Sequence, residues 1–209
     1  MNNDKSRKWL EWAREIQALG QIGYYFSENE HEKHNYRRLQ EIAVEMLDSQ
    51  TEWESDKLSR VYDAQPGYAT AKIDVRGAAV SEGKILLVQE ARDGFWCLPG
   101  GWADVGEKPS DMVIREVKEE SGFDVRPYKI AGVFDANRTG ERLELFHAYK
   151  IVFLCSITGG QARNSIETLD VDFFSFRELP VLSSPRTDPR HLLEIEEHLR
   201  DTDRPAAFD

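Results

Sequence analysis

The segment from Trp96 to Phe123 constrains this chain more than any other part of the sequence. Its Pro99-Gly100-Gly101 run interrupts regular structure and predicts a tight loop, in which the backbone can approach a ligand closely. Ser110, just after a proline, suits the start of a helix, and Gly122 suits its end in the left-handed conformation. The segment therefore predicts a loop followed by a helix over about residues 110–121.

Three glutamates lie together on one face of this predicted helix. At ~100° per residue, Glu116, Glu119 and Glu120 fall within about 100° of one another. Carboxylates at these spacings repel one another by about 0.2–0.5 kcal/mol per pair. A hard divalent cation such as Mg²⁺ takes oxygen ligands, and when bound there it would polarise a phosphoryl oxygen and activate a water. By itself an acidic patch is usually only a solvated face, so the surrounding residues decide the interpretation.

Composition narrows the class of protein. The chain has 209 residues, 40% of them hydrophobic, and a net charge of −11, which indicates a soluble protein with room for a catalytic domain and a small accessory domain. No apolar run approaches the ~20 residues of a membrane span, and the polar start up to Glu15 predicts no secretory signal. The acidic balance disfavours a nucleic-acid binder but allows a small anionic substrate neutralised by metal ions. With only Cys97 and Cys155, no disulfide framework or cysteine-bound zinc is expected, which fits a reducing cytoplasm.

The first part of the chain has the pattern of helices. Apolar residues recur at steps of three and four in two runs: Trp9, Trp12, Ile16, Leu19 and Ile22, then Tyr36, Leu39, Ala43 and Met46. A hairpin of two such helices cannot bury much surface alone, so it must pack on the rest of the chain or on another subunit. We predict an N-terminal helical domain over residues 1–66, a linker around Pro66, and a catalytic domain over residues 67–209.

Short strands dominate from about Lys72 onwards. The pattern predicts strands over 75–80, 84–88, 128–134, 143–158 and 172–176, and a last helix over 191–200. Beside the glutamates, Val113, Ile114 and Val117 form an apolar stripe that would pack on the sheet. This order of elements predicts an α/β fold with a mixed sheet and helices packed on it.

The spacing around the glutamates supplies the most specific pattern. Gly101 is followed after five residues by Glu107, and after seven more by Arg115-Glu116-Val117-Lys118-Glu119-Glu120-Ser121-Gly122-Phe123. This run resembles the signature of the Nudix hydrolases at every defining position, and the stretch from Trp96 to Gly101 resembles the lead-in common in that family. The resemblance covers roughly residues 70–185. It implies an α/β/α sandwich around a mixed sheet, here preceded by a small N-terminal helical hairpin domain.

The resemblance also implies a metal site and a reaction. Carried over, Glu116, Glu119, Glu120 and the backbone carbonyl of Gly100 would bind Mg²⁺, for which Mn²⁺ can substitute. Glu116 would in addition orient or deprotonate the attacking water. The implied reaction is hydrolysis of the diphosphate linkage in a nucleoside diphosphate derivative, which yields a nucleoside monophosphate and the phosphorylated second group.

Supporting residues follow from the same resemblance. Arg115 would orient Glu116 through a salt bridge without binding the metal itself. Glu107 would pair with Arg115 or brace the loop. A purely stabilising ion pair is the competing interpretation for these two residues. The family often takes a further acid from a later loop as ligand or general base, and Glu167 is the candidate here. Its rivals are Asp135, Glu141 and Glu144.

The N-terminal region bears on the substrate. The stretch from Lys8 to Leu19 resembles the helical extension of a bacterial Nudix subgroup that includes CDP-choline pyrophosphatases and proteins described as ADP-ribose pyrophosphatases. Members of this subgroup are expected to form homodimers, with the extension helping to shape the site. Many ADP-ribose hydrolases of the family carry a proline after the signature, where this chain has Ala136-Asn137-Arg138-Thr139. CDP-choline is therefore the favoured substrate, and ADP-ribose or another sugar nucleotide is the alternative.

Other assignments stay open at the level of sequence. Arg76 and Arg92 are candidates to contact a phosphate or base, although an exposed arginine is more often only solvated. An RNA-directed hydrolase would use the same chemistry and would bind with a steep dependence on salt. A non-catalytic nucleotide sensor would commonly lack signature glutamates, which this chain keeps. A hydrolase of oxidised nucleoside triphosphates would release inorganic pyrophosphate.

Overall fold

A computed structural model of the chain describes residues 3–136, 145–184 and 186–209. The chain divides into two compact units, one up to Ala71 and one from Lys72 onwards, whereas the sequence predicts a boundary just before residue 67. The helices are α1 (Asn3–Phe26), α2 (Glu30–Gln50), α3 (Ser55–Asp63), α4 (Pro109–Ser121) and α5 (Pro189–Arg200). The strands are β1 (Lys72–Ser81), β2 (Lys84–Glu90), β3 (Trp96–Cys97), β4 (Gly100–Trp102), β5 (Phe123–Asp135), β6 (Ala148–Gly160), β7 (Thr168–Ser175) and β8 (Ala207–Phe208).

The N-terminal unit contains α1, α2 and α3. Asn29 caps α2, because its side-chain oxygen accepts the backbone N–H of His31 at 2.9 Å. A side chain at Gly20 would meet the backbone carbonyl of Tyr36 at 2.8 Å, so glycine lets α1 and α2 approach closely. The buried apolar residues of the unit include Leu10, Ala13, Ala43, Val44, Leu47, Leu58 and Tyr62.

Two expectations for this unit are corrected. The predicted apolar face of α1 is not its buried face, since Trp12 and Leu19 are 52% and 57% exposed while Leu10 and Ala13 are buried. The chain also forms α3, which the predicted hairpin of two helices did not include. The exposed apolar surface of α1, defined as Trp12, Leu19, Tyr25 and Phe26, is thus left uncovered in this chain.

The second unit is organised around a mixed sheet. The strands follow the order β3-β2-β1-β6-β5-β8, with β4 also paired to β1 and β7 to β2. β1 runs parallel to β6, with Asp74 opposite Lys150, and antiparallel to β4, with Arg76 opposite Gly100. This register gathers the first half of β1, all of β4 and the start of β6 at one end of the sheet.

Helices cover the sheet on both faces. α4 packs Met112, Val113 and Val117 into one hydrophobic cluster with β1 and β2. α5 packs Leu192 and Ile195 into a second cluster on the other face of the same strands. The α/β/α sandwich predicted from the sequence is therefore confirmed.

Several strand boundaries differ from the sequence pattern, and β1 and β7 start three and four residues earlier than predicted. β5 starts earlier than predicted, at Phe123, and β6 starts later, at Ala148. Residues 143–144, which the pattern assigned to the fourth strand, lie outside the described residues. β3, β4 and β8 were missed, because strands this short carry no measurable periodicity. Across the described ranges, no helix is both long and apolar enough to cross a membrane.

Candidate active site

The helix that carries the glutamates is α4. It starts one residue before the predicted position, with Pro109 in its first turn and Lys108 as a cap that makes no side-chain bond. It ends as predicted at Gly122, whose φ of 80° is left-handed. Val113 and Val117 are buried, but Ile114 is 37% exposed, so the apolar stripe is narrower than expected.

A short loop leads from β3 to β4 and faces α4. Gly100 has a φ of 139°, and a side chain built there would lie 2.0 Å from the carbonyl oxygen of Val75. Only glycine fits this conformation and this close approach to β1. The N–H of Gly100 donates to Glu120 Oε2 at 2.8 Å, so the loop and the end of α4 are directly joined.

The three glutamates differ in their environment. Glu120 is buried against the loop, and Glu116 lies beside Gly101, with Oε2 3.5 Å from the place a β-carbon would occupy. The side chain of Glu119 is 59% exposed. In the part of the chain that the structure describes, the carboxylates are not gathered around one point, since Glu120 faces the loop while the other two face an arginine.

That arginine is Arg115. Its guanidinium donates to Glu107 at 2.7 and 3.1 Å, to Glu116 at 2.8 Å and to Glu119 at 3.1 Å. A further donor reaches Asp104 at 3.2 Å. The expected pairings of Arg115 with Glu116 and with Glu107 are both present, and the two-point contact with Glu107 fixes the plane of the guanidinium.

Burial and charge shift the acidity of these groups. Burial raises the pKa of Glu120 to about 7, against the opposing charge of Arg76. Burial also raises the pKa of Glu116, although the hydrogen bond from Arg115 opposes this. The hydrogen bond from Arg115 lowers the pKa of Glu107 and, reciprocally, raises that of Arg115. The helix therefore presents carboxylates whose negative charge the protein alone stabilises incompletely.

The donor set fits a hard divalent cation. Three carboxylates and a loop carbonyl offer only oxygen, which Mg²⁺ and Mn²⁺ prefer over nitrogen and sulfur. A nearby cation would stabilise the ionised form of the buried Glu120 carboxyl. Glu116, Glu119, Glu120 and the Gly100 carbonyl thus match a hard cation in donor type, although in the described residues the carboxylates face different partners.

Arg76 is buried, whereas the sequence predicts it as a candidate contact to substrate. Predicted as a substrate contact, it is only 5% exposed, and its guanidinium donates to Asp74 at 2.7 and 2.8 Å and to the carbonyl of Leu98 at 3.0 Å. Lys150 lies 3.1 Å from the same carboxylate. Although burial disfavours the charge, Arg76 and Lys150 hold the pKa of Asp74 below its usual range. Arg92, the other candidate, is exposed on the turn after β2.

Two candidates for a further acid, Glu167 and Asp135, fall within the described residues. Glu167 is exposed, but its neighbour Thr168 is buried and donates to the carbonyl of Glu120 at 2.8 Å, so the loop abuts the end of α4. Asp135, at the end of β5, lies 3.4 Å from His147. Glu141 and Glu144 lie outside the described residues. The choice of Glu167 stays a prediction.

Sequence reasoning missed several residues around the loop. Asp104 joins Arg115, and Thr187 accepts the N–H of Leu98. Asp74 and Lys150 pair with each other beside Arg76. One signal was available, because a charged residue in an otherwise apolar strand, such as Lys150 in β6, predicts a buried partner. The bond between Thr187 and Leu98 links positions too distant in sequence for any local pattern.

Both units match family models. Residues 7–62 match a model described as a UDP-X-like, N-terminal oligomerisation domain. Residues 72–194, more than half of the 209-residue chain, match the NUDIX domain.

Similar proteins extend over the whole chain. YjhB of Bacillus subtilis (strain 168), provisionally named an ADP-ribose pyrophosphatase, is 38% identical over 202 residues, 97% of either chain. A crystal structure of an ADP-ribose pyrophosphatase from Streptococcus suis 89-1591 is 38% identical with a TM-score of 0.61, and covers 67% of this chain and 100% of that one. A crystal structure of a UDP-X diphosphatase is 28% identical with a TM-score of 0.62, and covers 98% of this chain and 99% of that one. The chain therefore belongs to the Nudix hydrolase family, as a pyrophosphohydrolase whose catalytic domain follows an N-terminal helical region.

Proposed function

We propose that this protein hydrolyses the diphosphate linkage of a nucleoside diphosphate joined to a second group, and that Mg²⁺ is its cofactor. The products would be a nucleoside monophosphate and the phosphorylated second group. The observation that carries the proposal is the placement of Glu116 and Glu120 of α4 against the Gly100-Gly101 loop. The same site chemistry would serve an RNA-directed hydrolase or a hydrolase of oxidised nucleoside triphosphates, and we rank these lower because two relatives at 38% identity are named ADP-ribose pyrophosphatases.

Each residue of the site has a proposed role. Glu116, Glu119, Glu120 and the carbonyl of Gly100 would hold the cation, which when bound polarises phosphoryl oxygens and acidifies water. Glu116 is also suited to orient the attacking water and accept its proton, because burial raises its pKa. Arg115 would keep this carboxylate in place. Glu167 is the second candidate for the base.

Two substrates stand out within this class. ADP-ribose comes first, because two relatives at 38% identity carry that activity in their names. CDP-choline comes second, because the chain has Ala136-Asn137-Arg138-Thr139 where many ADP-ribose hydrolases of the family have a proline. Both contain a nucleoside diphosphate ester, so the chemistry above serves either.

A hydrolysis screen separates these candidates. Full-length protein with Mg²⁺ would be offered ADP-ribose, CDP-choline, UDP-sugars, 8-oxo-dGTP and a short 5′-triphosphorylated RNA, with products resolved by chromatography. We expect AMP and ribose 5-phosphate from ADP-ribose as the fastest reaction. A kcat/KM at least tenfold higher for CDP-choline would reverse the order of the two substrates. Inactivity on every compound with both Mg²⁺ and Mn²⁺ would refute the proposed reaction class.

Replacing Arg115 tests the role of the ion-pair network. Arg115→Ala frees Glu116 and Glu119 and removes the two-point contact with Glu107. Groups that orient metal ligands typically contribute about 10- to 100-fold to affinity or activity, so we expect a loss of that size in kcat/KM and a higher Mg²⁺ requirement. Arg177→Ala, at an exposed arginine after β7, is the matched control. Equal Mg²⁺ dependence in both variants would assign Arg115 to stability alone.

We also propose that the protein is a homodimer whose interface includes the exposed apolar surface of α1. Trp12 and Leu19 are more than half exposed, and the helical region matches an oligomerisation domain. Light scattering should give twice the chain mass, and Leu19→Glu should shift the protein toward the monomer. A monomeric wild type would contradict this.

A reducing cytoplasm suits the protein, because Cys97 and Cys155 are both free and buried.

A further inference from the structure

The peptide groups before Gly100 are held by buried side chains on both sides. The N–H of Leu98 donates to Thr187 Oγ1 at 2.8 Å, and the carbonyl of Leu98 accepts from Arg76 at 3.0 Å. Thr187 is fully buried and Arg76 is 5% exposed. The next carbonyl, of Pro99, accepts the N–H of Gly77 at 2.9 Å. The backbone is therefore fixed group by group up to Gly100, whose N–H binds Glu120.

The arginine side of this clamp is itself rigid. Asp74 binds two nitrogens of Arg76 with its two oxygens, and Lys150 of β6 lies 3.1 Å from the same carboxylate. Because these groups stand on adjacent strands in register, the third nitrogen of Arg76 has little freedom and points at the Leu98 carbonyl.

The threonine side belongs to a strap, residues 181–184 and 186–187, whose first part runs parallel to β3 with Leu182 opposite Trp96. Ser183 donates its N–H to the carbonyl of Trp96 at 2.8 Å, and the N–H of Thr187 donates to the carbonyl of Ser183 at 2.8 Å. Arg186 anchors the strap by pairing with Glu90 at 2.7 Å and with Asp93 at 3.2 Å. These contacts hold the Thr187 hydroxyl at the N–H of Leu98.

We propose that Arg76 and Thr187 are positioning residues, which clamp the Leu98 peptide and thereby place the Gly100 carbonyl and Glu120 for metal binding. The inference rests on the proposed function, in which those two groups are ligands. Neither clamp residue needs to touch metal or substrate. They act through the backbone, because a displacement of the loop by ~1 Å would separate the carbonyl from the glutamates of α4.

Metal binding by the full-length protein tests the clamp directly. Mn²⁺ affinity would be measured by titration calorimetry, with melting temperature as a parallel readout. Thr187→Val removes the acceptor for the Leu98 N–H at nearly equal volume, while Thr187→Ser restores it. Arg76→Lys keeps a charge beside Asp74 but loses the forked geometry. Leu154→Ala, a core truncation on β6 beyond the clamp, is the control for stability alone.

The expected pattern separates positioning from stability. Thr187→Val and Arg76→Lys should weaken Mn²⁺ binding by about tenfold or more, and Thr187→Ser by less than about threefold. Leu154→Ala should lower the melting temperature and leave Mn²⁺ affinity unchanged. If Thr187→Val does not fold, Arg76→Lys decides.

Two outcomes would overturn the inference, and a third would overturn the metal site on which it rests. The clamp is refuted if Thr187→Val and Arg76→Lys bind Mn²⁺ as the wild type does. It is refuted equally if Leu154→Ala weakens binding as much as the clamp variants do. A wild type that binds no Mn²⁺ would refute the proposed metal site itself, which is a different failure.

Discussion

Glu119→Gln should lower kcat by about two to four orders of magnitude and leave the folded structure intact. A metal centre contributes several kcal/mol to stabilising the transition state, and each 1.36 kcal/mol corresponds to about a tenfold change in rate. The amide keeps the size of the side chain but removes the negative charge that attracts the cation. The loss should appear in kcat and in the Mg²⁺ requirement.

The position of Glu119 makes this a clean test. Its side chain is 59% exposed, and among the described residues it accepts a 3.1 Å bond from Arg115, an exposed pair of the kind that contributes at most about 1 kcal/mol to folding. The melting temperature should therefore hardly change. Glu178→Gln, at an exposed glutamate after β7, is the matched control. A Glu119→Gln enzyme with near-normal turnover would remove this residue from the metal site.

Local signals predicted the glutamate-bearing helix almost to the residue. Ser110 predicted its start and Gly122 its end, and α4 runs from Pro109 to Ser121. The glutamate face was equally readable, because helical spacing fixes which side chains share a face. The sequence could not give their exposure, which ranges from the buried Glu120 to the open Glu119, because exposure depends on the loop and sheet opposite.

Helical spacing did not predict which face α1 buries. Periodicity identifies a helix, but two faces of α1 carry apolar residues, and the larger side chains lie on the exposed one. Gly20 lets α2 approach closely, and Gln17 and Gln21 satisfy each other through a 2.9 Å bond within the buried face. Gly20 and the paired Gln17 and Gln21 thus lie on the buried face, and Trp12 and Leu19 on the exposed one.

Contacts distant in sequence account for most of what was missed in the site. Arg76 looked like an exposed phosphate contact, because its neighbour Asp74 is close in sequence but Lys150, which pairs with Asp74 from β6, is not. The parallel pairing of β1 with β6 brings Lys150 to Asp74, and only the assembled sheet reveals it. Thr187 reaches Leu98 for the same reason, through a strap that follows the last long strand.

Glu120→Gln should stabilise the metal-free protein at pH 8 and have little effect at pH 5. Burial raises the pKa of Glu120 to about 7 in the folded state, while the unfolded chain has the ordinary value of 4.5. Below pH 4.5 the carboxyl is protonated in both states and carries no penalty. Between pH 4.5 and 7 the unfolded chain ionises while the folded protein keeps the proton, so the free energy of unfolding falls by an amount on the order of 3 kcal/mol by the time the folded protein buries the charge.

Comparison with the variant isolates this effect from other titrations. Burial lowers the pKa of His191 to about 3, so this histidine makes the folded protein less stable as the pH falls below 6.5. In the wild type measured alone, this loss of stability at low pH opposes the gain that Glu120 contributes there. It cancels in the difference between wild type and variant, because both proteins contain His191.

The measurement is the melting temperature of both proteins in EDTA and in Mg²⁺, from pH 5 to pH 8. In EDTA the variant should exceed the wild type by several degrees at pH 8, since about 1 kcal/mol shifts a chain of this size by about 2–4 °C. Mg²⁺ should then stabilise the wild type more than the variant, because only the carboxylate gains from the cation. A variant that is less stable than the wild type at pH 8 in EDTA would show that Glu120 is held as a carboxylate by the protein itself, and its burial would then no longer argue for a metal.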